Sequence, residues 1–136
     1  PNALNDPNLK AAGIYIGNNE APFVLDDTPG LKLFHQAFTQ FYGGPPPDQS
    51  ALKGWVSGQL FAAAVNALGA TARSGPVTTA EVYQGLYTLK GETLGGLMPP
   101  MTYVKGQPAP LVNCYTTIDD TSAGITAPGG SRFACS

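Results

Sequence analysis

The chain has 136 residues, 43% of them hydrophobic and 12% charged, enough to bury the core of one domain and too apolar for a wholly disordered chain. Seven Lys and Arg against nine Asp and Glu leave a net charge of −2, so no basic excess exists to displace counterions from a nucleic acid, and the single histidine excludes a multi-histidine metal site within the chain. With 17 glycines and 13 prolines, turns must be frequent.

In chain order, Asn2 to Asn8 is polar and broken by proline, and reads as a loop. Ala11 to Gly17 (AAGIYIG) has the β-branched and aromatic content of a buried strand. Asn18 to Asp27 reads as a linker. Thr28-Pro29 then opens a helix, with Thr28 as N-cap, Pro29 at the first position, and Asp26 and Asp27 where a helix dipole favours negative charge. Leu31, Phe34, Phe38 and Phe41 share one face of that helix, and Gly43-Gly44 with Pro45–Pro47 stops it.

A second helix is predicted over Gln49 to Leu68, with Leu52, Trp55, Val56, Leu60, Ala63, Ala64 and Ala67 as its apolar face and Gly69 as its stop. Gly58, Ala62, Ala63 and Ala64 would admit a close backbone, so this helix is expected to be the most buried element. Thr78 and Glu81 have capping-box spacing at the head of a third helix, whose stripe is Val82, Leu86 and Leu89. Gly95 to Pro100 is turn-rich. Met101 to Val104 and Leu111 to Thr117 read as strands, and the tail from Asp119 as irregular. Three amphipathic helices with so few strands need a surface to cover: either they form a small bundle or the sheet they cover lies elsewhere, and the second reading is favoured.

Cys114 and Cys135 stand 21 positions apart without metal-site spacing, which favours a disulfide and an oxidising compartment; two buried thiols are the alternative. No charged n-region with an apolar stretch follows Pro1, so no signal peptide is visible. Ser57 lies in WVSGQ, which is not a nucleophile elbow, and His35 between Phe34 and Phe38 reads as a helix flank rather than a base. The pairs Asp26-Asp27 and Asp119-Asp120 read as caps or solvated turns, since calcium requires more oxygen ligands.

Five stretches together resemble the C-terminal part of a type 1 periplasmic solute-binding protein of the Leu/Ile/Val-binding family. They are Ala12 to Ile16, the Phe-rich helix Leu31 to Tyr42, the alanine-rich helix Ala51 to Leu68, Thr78 to Val82 with Leu86, and Leu94 to Tyr103 (LGGLMPPMTY), the most specific. The resemblance implies an α/β fold: the C-terminal segment of two three-layer αβα lobes joined by crossovers. Residues 1–17 would lie in the second lobe, 18–27 in a crossover, and 28–104 in the first lobe as helices and a strand. Residues 105–136 would supply a second crossover, the return strand and the tail. It further implies the extracytoplasmic solute receptor of an ABC importer, not an enzyme and without a cofactor, made with a signal peptide in its precursor. Its partners would be an amino acid or similar small polar solute, a membrane permease, and an upstream part of the same protein.

At the start of the second helix, which reaches the family's cleft, Leu52, Lys53 and Trp55 are candidate ligand contacts. Trp55 could cover an apolar side chain and Lys53 could meet a carboxylate; Trp55 as a core anchor with a solvated Lys53 is the alternative. A sensing ectodomain of the same fold and a small secreted enzyme are the competing functions. Standing alone, the helices are expected to expose Phe34, Phe38, Leu60 and Leu86 as an apolar patch.

Overall fold

A computed structural model describes residues 6–70, 72 and 75–136. The expected loop therefore lies outside the described residues over 2–5. Beyond that, Pro7–Ala12 is a short helix, α1, not a loop and the start of a strand. Asp6 makes the difference: its carboxylate accepts from Asn8 N–H at 2.8 Å and from Leu9 N–H at 3.4 Å, and Pro7 suits the first turn. Ala11 and Ala12 continue the helix as good helix formers, so the strand β1 starts later, at Ile14–Asn18.

The helices follow the sequence signals closely. Helix α2 spans Pro29–Phe41, and Thr28 Oγ1 accepts from Leu31 N–H at 3.2 Å. Helix α3 spans Gln49–Ala67, capped by Asp48, whose carboxylate accepts from Ala51 N–H at 2.8 Å. Helix α4 spans Thr79–Thr88 and carries the full capping box. Glu81 N–H donates to Thr78 Oγ1, while the Glu81 carboxylate accepts from Thr78 N–H and Oγ1, both at 2.7 Å.

Those two bonds from Thr78 favour the charged carboxylate and hold the Glu81 pKa below its ordinary value. A depressed folded-state pKa contributes stability above the unfolded value, and that contribution is lost as pH falls through the folded one. Relative to Glu81→Gln, the chain should therefore hold a constant margin in unfolding midpoint near neutrality, shrinking below about pH 4.5. A margin that grew on acidification would show that the box does not form.

The strands depart from expectation. Strand β2 runs Cys114–Thr121 rather than Leu111–Thr117. Its register explains the shift: β1 pairs with it antiparallel from Ile14↔Asp120 to Asn18↔Thr116, so residues 111–113 lie beyond the end of β1, with Leu111 exposed. The tail is not irregular. Strand β3, Gly124–Thr126, pairs with the far end of β2, and β4, Ala134–Cys135, pairs with its near end. Asp119 and Asp120 thus lie within a strand and not in a solvated turn. Met101 to Val104 contributes only one bridge, between Met101 and Glu92, whose backbones exchange bonds of 2.8 and 2.9 Å.

The core joins α2, α3, the residues after β1 and the Gly-rich turn through Ala21, Leu31, Phe34, Leu52, Val56 and Leu97. Phe34 is therefore buried, and Phe38, Leu60 and Leu86 are half-buried, which corrects the expected exposed patch. Helix α3 is not the most buried element either: only Leu52, Val56 and Ala64 of its 19 residues are buried, against three of 13 in α2. Its small-residue face is used at Ala64 and not at Gly58, which is exposed with open space around it.

Two close approaches account for the glycines that matter. Gly30 N–H donates to Gly95 O at 2.9 Å, so the turn holding Leu94, Gly95 and Gly96 at φ of 52°, 70° and 89° plugs the start of α2. This is the physical content of the LGGLMPP stretch. At Gly85, α4 crosses α3 so closely that an added Cβ would lie 1.9 Å from Ala64 O and 2.7 Å from Ala64 C. Gly85→Ala gains roughly 1 kcal/mol of helix propensity, yet the clash is with backbone and the helices must separate. We expect a net loss of about 1–3 kcal/mol in urea unfolding; a stabilised variant would show that the crossing relaxes freely.

Candidate functional site

The helical unit is inserted between two strands that lie side by side. The chain leaves the sheet at Asn18, builds α2 to α4, and returns to it at Thr116, the residue paired with Asn18. The outgoing segment is held at several points. Thr116 Oγ1–H donates to Glu20 O at 2.6 Å, and Ala21 N–H donates to Leu97 O at 2.9 Å. Gln49, the first residue of α3, bridges the same segment: its Nε2 donates to Ala21 O and its Oε1 accepts from Phe23 N–H, both at 3.3 Å. Ala21 is fully buried, so its N–H and C=O have no water to turn to.

Where the N-terminus of α3 faces the β1–β2 surface lies a cavity of about 190 Å³. Strand alternation puts Ile16, Asn18, Ile118 and Asp120 on its sheet wall, and Asp48, Gln49 and Ser50 on its helix wall. Asn18 and Asp120 are 6% and 7% exposed. A second, more open groove of about 380 Å³ runs between α2 and α3, lined by Phe34, Phe38, Phe41, Tyr42 and Trp55 among others.

The three residues singled out on α3 do not come together. Leu52 is 0% exposed and packs in the core. Lys53 is exposed. Trp55 is half-buried against Phe34, ring centroids 6.0 Å apart, and lines the aromatic groove. Its Nε1–H is buried without an acceptor. Sequence reasoning singled out residues of this helix's first turns but not Asp48, Gln49 and Ser50, which line the cavity one turn earlier. The signal was available in the N-cap spacing of Asp48. It also missed Asn18 and Asp120, because their meeting depends on strand register, which a sequence alone does not display.

Of the other polar residues singled out in the sequence, His35, Ser57 and Asp27 have structural partners, whereas Asp119 Oδ1 is buried without one. His35 Nε2–H donates to Leu25 O at 3.0 Å, and Ser57 Oγ–H to Lys53 O at 3.0 Å within the helix. Asp27 holds the tail, accepting from Ser131 N–H at 3.2 Å and from its hydroxyl. Cys114 and Cys135 are joined as a disulfide across the paired residues of β2 and β4. Among the described residues, no three His, Cys, Asp or Glu side chains gather to hold a metal ion. No helix among them is long and apolar enough to cross a membrane.

A helical unit hung from two paired strands, with a cavity where helix and sheet face each other, defines a mixed α/β protein. The family model of the periplasmic binding proteins matches residues 2–116, and the chain belongs to that family. Such proteins bind small molecules, generally without catalysis and outside the cytoplasm, and usually serve a membrane transporter. No curated protein and no solved structure matches the chain.

Proposed function

We propose that this chain forms part of the extracytoplasmic solute receptor of an ABC importer, binding an amino acid or similar small polar solute between two lobes. It is not an enzyme on this reading. Residues 28–104 belong to the first lobe, 1–17 and the return strand to the second, and 18–27 and the segment from Lys105 to Pro110 to the crossovers. The observation that carries the reading is the pairing of Asn18 with Thr116, which brings the outgoing and returning connections side by side at one edge of the helical unit. Two adjacent connections allow the parts on either side to rotate about them, as hinge closure on a ligand requires.

The precursor carries a signal peptide, and a permease in the membrane receives the loaded receptor. Trp55 and Lys53 remain candidate contacts at the edge of the solute site; Leu52 can act only by supporting them, since none of its surface is open.

Calorimetric titration of the full-length polypeptide with a panel of amino acids and small polar solutes tests the function. Micromolar binding of one solute is expected, and no binding across the panel together with hydrolase turnover would overturn it. Residues 1–136 expressed alone should bind no solute tightly, because closure needs both lobes. A soluble monomer of this chain with cooperative unfolding and micromolar affinity would sink the two-lobe reading.

A further inference from the structure

The cavity between the head of α3 and the sheet has a charge pattern that selects its occupant. Among the described residues its walls carry two carboxylates, Asp48 and Asp120, and no basic side chain. Asp48 is committed to capping α3 and sits exposed at the rim. Asp120 is different: 7% exposed, it lies across the wall from Ile16 and beside Ile118 and Ile125, in apolar surroundings. Among the described residues, no lysine, arginine or histidine side chain lines the space before it. A carboxylate held in such surroundings is costly unless a cation or several donors meet it. The partial positive charge at the head of α3, roughly half a unit, is already offset by Asp48.

We propose that this cavity is a subsite for a primary ammonium group, with Asp120 as its counter-charge; the proposal rests on the solute-binding reading. The geometry of acceptors fits that group. An ammonium offers three N–H donors, and the two Asp120 oxygens with the Asn18 amide oxygen offer acceptors on one wall. Asn18 spends its amino group on Ile16 O at 3.4 Å, which turns the amide oxygen to the other role. At about 190 Å³ the cavity is smaller than a whole-ligand site, so it takes the head of a solute and not the entire molecule. A metal ion is a poorer occupant, since calcium takes six to eight oxygens and, among the described residues, no third acidic ligand joins the pair. The apolar walls strengthen an ammonium–carboxylate bond relative to water.

The test compares each amino acid of a panel with the 2-hydroxy acid bearing the same side chain, titrated into the full-length polypeptide. Nitrogen-15 spectra recorded with n-butylammonium and with n-butanol read the subsite directly. The amine should bind at least about tenfold more tightly than its hydroxy partner. Asp120→Asn should bring that ratio close to one, and Asn18→Asp should raise it. Butylammonium, and not butanol, should shift the Asn18 side-chain amide. Should Asp120→Asn fail to fold, Asn18→Asp and the two probes on the unaltered protein decide alone.

Tight solute binding with an amine preference that neither variant changes, or equal shifts from both probes, overturns the ammonium subsite and leaves solute binding standing. Absence of binding in both solute series overturns the solute-binding reading, and the subsite falls with it.

Discussion

Phe34→Ala should destabilise the chain by about 3–5 kcal/mol, the largest effect of any single truncation here. Phe34 is 1% exposed and is the largest of the fully buried side chains. It sits where α2, α3 and the Gly-rich turn meet, in one cluster with Leu31, Leu52, Val56 and Leu97. Its ring lies 5.7 Å from that of Phe38 and 6.0 Å from that of Trp55, in tilted arrangements that favour edge-to-face contact. Truncation removes the buried area and leaves a cavity that neighbouring helices, pinned by their caps and by the Gly30–Gly95 bond, fill only in part.

Trp55 is the control. It is half-buried, so Trp55→Ala should cost roughly 2 kcal/mol, and Trp55→Phe less, because it also removes an indole N–H buried without a partner. Urea unfolding of the three variants gives the order directly. A Phe34→Ala loss below that of Trp55→Ala would move the centre of the core from the α2–α3 contact to the aromatic groove.

The helices were legible because their signals are local. Thr28-Pro29 and the Thr78–Glu81 box each act within one turn, and the structure uses both; the Asp48 cap of α3 is of the same kind and was there to be read. The same locality explains α1: Asp6-Pro7 was as good a start as Thr28-Pro29, but the apolar run after it drew the reading toward a strand. Strand limits were less legible because they depend on partners. β2 extends through Asp119 and Asp120, residues with low strand preference, since Ile14 and Tyr15 on one side and Ile125 and Thr126 on the other supply the ladder. Leu111 and Val112 have better strand composition and no partner in β1.

The candidate site divides in the same way. The head of α3 could be located from the sequence, where the predicted start at Gln49 is the observed one. The sheet wall could not, because Asn18 and Asp120 are 102 positions apart and meet only through the antiparallel register. Burial made the remaining difference. Leu52, Lys53 and Trp55 are near neighbours in sequence, yet 100° steps around a helix send them to the core, to solvent and to the α2 groove. A functional reading of consecutive helical residues needs the face as well as the position.

Replacing both cysteines, Cys114→Ala with Cys135→Ala, should cost about 3 kcal/mol in the chain-entropy account, since the bond closes a loop spanning 21 positions. The loop contains most of β2, all of β3 and the turn through Gly130, so the bond acts on the sheet and not on the helical unit. Without it, β4 has two residues of pairing, Cys114↔Cys135 and Tyr115↔Ala134, and two bonds from Ser136 to Asn113 O. That is too little to hold a two-residue strand against its chain entropy. Asp27 would then be the tail's other tether, through Ser131.

The loss should therefore be uneven. Amide exchange should rise first over residues 124–136 and along the β2 edge that faces them, while the Ala21 and Phe23 amides, which donate to Leu97 O and Gln49 Oε1, stay protected. Mass spectrometry of unreduced protein checks the premise, and two free thiols would remove it. Uniform loss of protection across α2, α3 and the sheet in the double variant would show that the sheet and the helical unit unfold as one body. That result would count against the hinge, which requires the two parts to keep their own structure while moving about the connections at Asn18 and Thr116.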